Sequence, residues 1–195
     1  MAISTKDLQY ILAARSGNIR YLRAYRDYIS NINITDEYMC SSVFYASMCG
    51  EDEAVRLLVL EFGADSNQCD RDGYSPFYMA SCFSHISTMK VLAQECNADV
   101  NKCTDNGWSA IRYASETGNL DVISVLIDEL GADFNIPDKS GVNPIVAAAR
   151  NGYEHILRYF GTHTNIDTQL SQEVDISDEI RAFLTVCLTV CINFA

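Results

Sequence analysis

The chain has 195 residues, a formal net charge of −12 and a hydrophobic share of 48%. This length is sufficient for one domain with a sizeable core. The acidic balance argues against nucleic acid and anionic membrane surfaces as partners, because both require clustered Lys and Arg. A protein partner with a basic face is the more natural expectation, and the same acidity also serves simply to keep a protein soluble.

The amino-terminal residues lack the apolar core of a signal peptide, and Ser4 to Asp7 instead predicts a capping box that opens a first helix. The chain also lacks a run of the roughly 20 apolar residues that a membrane helix needs. We therefore expect an intracellular monomer, cytoplasmic or nuclear, with no membrane contact.

A period of 34 residues runs through the chain and is clearest from residue 70 to residue 135. The matching pairs are Gly73 and Gly107, Ser75 and Ser109, Ala80 and Ala114, Leu92 and Leu126, and Asn101 and Asn135. Fainter copies precede and follow, which gives five units near 2–35, 36–69, 70–103, 104–137 and 138–160. A fixed period of this size indicates a repeat array.

Each unit predicts a glycine turn, a short helix, a second turn and a second helix. Ser75, Ser109 and Asn143 are predicted N-caps, and Pro76 and Pro144 stand at the first helical position, where a missing N–H costs nothing. Small residues in the first helix allow close approach of a neighbouring helix. The second helix has apolar residues at helical spacing and stops at Gly63, Asn97 or Gly131.

These turns, caps, small-residue pairs and the segment from Gly131 to Asn135 resemble the ankyrin repeat over about residues 2–160. The resemblance implies an all-α solenoid of stacked helix-turn-helix units joined by β-hairpin-like loops. It also implies a protein–protein interaction module, an adaptor or scaffold, whose partner lies on the concave face.

The sequence departs from this family pattern in three ways. The family usually has a histidine early in the first helix, where this chain has Phe44, Tyr78, Arg112 and Val146. The period exceeds the usual one by a residue, which we expect to lengthen or bulge the end of the second helix at Phe62, Cys96 and Leu130. Ser84 stands where other units have glycine, so we expect a positive φ there and a gain of about 0.5–1 kcal/mol from Ser84→Gly.

Residues after the array have a different pattern. The segment 161–176 is polar and predicts a linker, and 177–195 predicts an apolar helix that is a degenerate sixth unit or a cap on unit five. A membrane-associated tail and the cut end of a longer protein are the alternatives. The apolar stretch is short for a membrane span, which favours the capping role.

The residue pattern does not indicate catalysis. None of the three histidines has metal-ligand spacing or a recognisable nucleophile partner, and the chain lacks a phosphate-binding glycine loop. The eight cysteines include no CxxC motif and are expected to be reduced side chains. We expect no enzyme activity, no cofactor and no metal.

The resemblance places the partner-binding residues on the turn tips and the inner face of the first helices. Matched to this sequence, they are Arg71, Asp72, Tyr74, Asp105, Asn106, Trp108, Glu116, Lys139, Val142 and Arg150, with Glu37 and Tyr38 in unit two. Tyr74 and Trp108 are repeat equivalents and should stand side by side, whereas Phe83 is expected to pack against the next turn. A regulatory inhibitor and the targeting part of a multidomain enzyme remain alternative functions.

Overall fold

The computed structural model describes residues 3–29 and 31–163, which form five helix pairs. The first helices of the pairs are α1 (Thr5–Arg15), α3 (Ser42–Cys49), α5 (Pro76–Cys82), α7 (Ala110–Thr117) and α9 (Pro144–Arg150). The second helices are α2 (Ile19–Tyr25), α4 (Asp52–Arg56), α6 (Ile86–Lys90), α8 (Leu120–Ser124) and α10 (Glu154–His163). A 3₁₀ turn (Arg26–Tyr28) follows α2.

The first helices stack on one another in chain order, α1 on α3 and so on to α9, and form an inner row. Ala46, Ala80, Ala114 and Ala148 are buried in this row, where their small side chains permit close helix approach. The predicted caps are confirmed: the Ser75 side chain accepts the N–H of Tyr78, and Asn143 accepts that of Val146. These caps fix the residue at which each of these inner helices begins after its turn.

The extra residue of the 34-residue period lies at the end of three second helices. There α4, α6 and α8 continue as π-helical segments, Leu57–Glu61, Val91–Glu95 and Val125–Glu129. The N–H groups of Phe62, Cys96 and Leu130 each bond to the carbonyl five residues earlier, at 3.0–3.1 Å. The predicted bulge is therefore confirmed as a single widened turn, which is how a helix absorbs one inserted residue.

Three non-glycine residues have the left-handed backbone that the pattern assigns to glycine positions. Ser84 has φ of 59° and Asn97 has φ of 54°, as predicted, and Met39 replaces the turn glycine of unit two with φ of 64°. The Ser84 hydroxyl accepts a hydrogen bond from the Asn119 amide at 2.7 Å. This bond ties a strained turn of unit three to the following unit.

Salt bridges link the outer helices of successive units. Each joins a basic residue of one second helix to a glutamate of the next: Arg23 to Glu61, Arg56 to Glu95, and Lys90 to Glu129, at 2.6–2.7 Å. All six side chains are substantially exposed, so solvent screening leaves each pair with little effect on stability. The apolar core between the rows, not this ladder, supplies most of the stability.

The carboxyl end of the array differs from the expectation in one respect. Helix α10 continues through His163, so the first three residues assigned to a linker are helical. His163 Nε2 and the Tyr159 hydroxyl both contact Asp128 of the preceding unit. The rest of the expected linker and the apolar helix at 177–195 lie outside the described residues.

Candidate functional site

The turns between units stack into a regular ladder. Within the turn of unit three, Asp70 Oδ1 accepts the N–H groups of Asp72 and Tyr74. Between turns, Arg71 donates its N–H to the Tyr38 carbonyl, and equivalent bonds join Asp105 to Asp72 and Lys139 to Asn106 at 3.0–3.1 Å. These bonds give the hairpin-like loops expected from the sequence, although Thr35 and Ser41 form the isolated β-bridge within the described residues.

Two glycines allow this close stacking. Gly73 and Gly107 both have φ of 81°. A Cβ on Gly73 would lie 2.6 Å from the backbone nitrogen of Asp105, and one on Gly107 would lie 2.8 Å from that of Lys139. Any side chain here would push the turns apart, so the side chains projecting from adjacent turns have a defined spacing.

A cavity of about 650 Å³ lies between these turns and the inner helices. We call it the aromatic groove and define it by its ring-bearing residues Tyr74, Tyr78, Phe83, Trp108 and Tyr113. The predicted neighbours Tyr74 and Trp108 project from adjacent turns into this groove, each partly buried. Phe83 is 55% exposed, so the expectation that it packs against the next turn is wrong.

The rings of the groove form a continuous chain. Centroid distances are 5.2 Å from Tyr74 to Tyr78, 5.9 Å from Tyr78 to Tyr113, and 6.4 Å from Tyr113 to Trp108. These distances lie in the range of about 4.5–7 Å that aromatic pairs prefer, and the ring planes are tilted by 47–56°. The chain of rings connects the turns of units three and four across the inner helices.

Arg112 replaces the usual family histidine in unit four and is almost completely buried. Its guanidinium contacts Asp138 at 3.3 Å and Glu116 at 2.7 Å, and its Nε donates to the Val142 carbonyl at 3.2 Å. It also lies 4.5 Å from the centroid of the Trp108 ring. Arg112 thus joins helix α7 to the turn of unit five and packs against Trp108, one of the rings of the groove.

The structure separates the predicted site residues by exposure. Most of the charged and polar turn residues are exposed: Arg71, Asp72, Asp105, Asn106, Lys139 and Arg150. Glu116 is partly buried because it pairs with Arg112. Val142 is buried, and its backbone carbonyl and N–H bond to Arg112 and Asp138, so its side chain is not available to a partner. Glu37 and Tyr38 are exposed on the turn of unit two.

Several residues that line this cavity are absent from the predicted site, among them Tyr78, Tyr113 and Asp70. Tyr78 occupies the family histidine position, and this departure from the family pattern gives no signal of a groove. Tyr113 follows Arg112 on α7, and its projection into the groove depends on the angle between helix and turn. Asp70 accepts backbone N–H groups of its own turn, as Asp36 and Asp138 do. This turn-forming role explains the residue type, so the sequence gives no separate sign that Asp70 also lines the groove.

The described residues contain no group of three or more side chains arranged to hold a metal ion. The groove does contain a thiol, Cys82, but burial raises its pKa to about 12, which keeps it protonated near neutral pH. None of the helices in the described part of the chain has the length and apolarity to cross a membrane.

A sequence-family model described as ankyrin repeats (3 copies) matches residues 10–104 and 94–172. A search of curated proteins found no match to the chain.

Proposed function

Because the chain belongs to the ankyrin repeat family, whose arrays generally act as protein–protein interaction modules, we propose that it is an adaptor or scaffold. Its partner binds along the concave face and contacts the turns of units three and four together. The fold is typically non-catalytic, which agrees with a binding role.

The observation that carries this proposal is the position of Tyr74 and Trp108 at one groove. Both are partly buried, so their rings are held in place before a partner arrives and little conformational entropy remains to be lost. Tyr, Trp and Arg are the residues enriched at interface hot spots. Exposed Phe83 extends the apolar surface that a partner would cover.

The proposed contact surface consists of the accessible members of the predicted set together with Phe83. They are Arg71, Asp72, Tyr74, Asp105, Asn106, Trp108, Glu116, Lys139 and Arg150. The proposal includes a monomer that acts in the cytoplasm or nucleus on a partner with a basic face. Sedimentation and fractionation of cells would check the monomer and the location.

The test is capture of the partner from cells that express the protein, using the wild type and the variants Tyr74→Ala and Trp108→Ala. Each substitution should weaken binding by about 2 kcal/mol, roughly 30-fold, because truncated aromatic anchors at interfaces commonly cost this much. Circular dichroism and the melting temperature should remain nearly constant for Tyr74→Ala, since turn residues contribute little to a repeat array.

The matched controls lie on the outer helices. Leu60→Ala removes an exposed apolar side chain, and Ser124→Ala removes a hydroxyl that bonds only locally to Asp121. Both should leave capture unchanged. Loss of capture in these controls, with retention in the aromatic variants, would place the binding surface on the outer row. A captured enzyme whose activity falls on binding would indicate the inhibitor function instead of a scaffold.

A further inference from the structure

We propose that the aromatic groove receives the cationic head of a lysine or arginine side chain from the partner, with Asp70 as its counter-ion. This inference rests on the proposed function and specifies the chemistry of the group that enters the groove. Three features support it: the cluster of aromatic rings, a carboxylate without a cationic partner among the described residues, and the balance of charge around the opening.

The rings provide the first feature. Tyr74, Tyr113 and Trp108 are partly exposed and line a single cavity. The Tyr78 ring is only 3% exposed and connects Tyr74 to Tyr113, at centroid distances of 5.2 Å and 5.9 Å. A cation near the faces of several aromatic rings is attracted by their quadrupoles, and the attraction grows as water is excluded. The protein already uses Trp108 in this way, since the Arg112 guanidinium lies 4.5 Å from its ring centroid.

Asp70 provides the second feature when it is compared with its repeat equivalents. In unit two, Asp36 Oδ2 accepts the Tyr45 hydroxyl at 2.7 Å, and in unit five Asp138 Oδ2 pairs with Arg112 at 3.3 Å. Asp70 Oδ1 makes the same turn bonds, but its Oδ2 has no donor among residues 3–29 and 31–163. The residue lines the groove and its Oδ2 is not among the buried atoms that lack a partner, so this oxygen is open to a cation that enters the groove.

The electrostatics of Asp70 agree with a missing cation. Burial raises the pKa of its carboxyl group, the Tyr74 and Asp72 N–H groups oppose this, and the carboxylates of Asp72 and Asp105 raise it further. The ionised form is therefore under-stabilised in the free protein. A lysine or arginine head at the groove would offset that penalty.

Charge around the groove favours a cation over an anion. Asp70 lines the groove, and the adjacent turns add Asp72 and Asp105 against Arg71. The whole chain has a formal charge of −12. The Arg112 charge is compensated by Asp138 and Glu116. Lys139 lines the unit-five side of the groove and opposes a cation, so it provides a sensitive position for a charge test.

The test uses the single tryptophan of the chain as its reporter, because Trp108 is both the sole Trp and a groove residue. The probes are the N-methylamides of lysine and arginine acetylated on the α-amino group, so that the side-chain cation is free. Each is titrated while Trp108 emission is recorded. Acetyl-norleucine N-methylamide is the neutral control, since it keeps the alkyl stem and lacks the ammonium. Both cationic probes should saturate the signal and bind about fivefold or more tightly than norleucine.

Two variants assign the charge dependence. Asp70→Asn keeps a side-chain oxygen for the turn N–H groups and removes the charge, and it should weaken the cationic probes about fivefold without affecting norleucine. Lys139→Glu should strengthen them by a similar factor. Equal binding of norleucine and lysine, no saturable response to about 50 mM cation, or no effect of either variant would overturn the inference.

Failure of this inference is distinguishable from failure of the proposed function. Capture of the partner that depends on Trp108 but is unchanged by Asp70→Asn and Lys139→Glu would leave the concave site intact and remove the cation from it. Capture that depends on the outer helices would instead overturn the proposed function itself.

Discussion

Replacement of Arg112 by Met tests how the structure holds units four and five together. Methionine preserves much of the apolar stem but removes the guanidinium that contacts Asp138, Glu116 and the Val142 carbonyl. The Asp138 side chain is only 4% exposed and would remain as a buried carboxylate without its counter-ion. Removal of one partner of a buried ion pair typically costs about 3–5 kcal/mol.

Two details of the site set the expected magnitude within that range. Asp138 retains the N–H groups of Ser140 and Val142 as donors, which lowers the cost of its isolation. The Glu116 pair is partly exposed and adds little. We therefore expect Arg112→Met to reduce the free energy of unfolding by about 3 kcal/mol, near the lower end of the range.

Urea unfolding followed by Trp108 emission is suited to this measurement, because the indole lies 4.5 Å from the guanidinium. Asp138→Asn is the matched second variant, since asparagine keeps an oxygen for the turn and removes the charge. In the double variant the uncompensated charge is absent, so its cost should fall below the sum of the single costs by about 1–2 kcal/mol. Additivity within about 0.5 kcal/mol, or a cost below about 1 kcal/mol for Arg112→Met, would refute the reasoning.

Three further predictions concern the turns and the groove. Ser84→Gly should be more stable to urea than Ser84→Ala by about 1 kcal/mol, because both lose the bond from Asn119 but alanine retains the strained φ. Relative to the wild type, the loss of this bond reduces the gain in stability expected from Ser84→Gly. An alanine variant that is more stable than the glycine variant would contradict the prediction. Asp70→Asn should raise the urea midpoint at pH 7, because the raised pKa of Asp70 means that its ionised form destabilises the fold. The difference between variant and wild type should disappear as the pH falls through that pKa, because the Asp70 carboxyl group then becomes neutral like the asparagine amide. Cys82 should react slowly with iodoacetamide at pH 8 by peptide mass spectrometry, since a pKa of about 12 leaves about one thiolate in 10⁴, and rapid alkylation in the folded protein would disprove its burial.

The sequence by itself determined the features that depend on near neighbours in the chain. The caps at Ser75 and Asn143, the positive φ of Ser84 and Asn97, and the bulge that ends at Cys96 all follow from residue types at fixed offsets. Each is a property of one turn of backbone, where a side-chain oxygen, a strained φ or one extra residue has few alternative arrangements. The repeat period then multiplies each local prediction along the chain.

Only the tertiary structure decided which side chains meet across units. Arg112 finds Asp138 in the next unit, Tyr78 and Tyr113 complete the aromatic groove, Phe83 stays exposed, and Val142 is buried. These outcomes depend on the offset and angle between stacked units, which arise from packing of the whole inner row. A sequence pattern names the residue that projects from each turn, but the length and direction of contacts between turns are set by that packing.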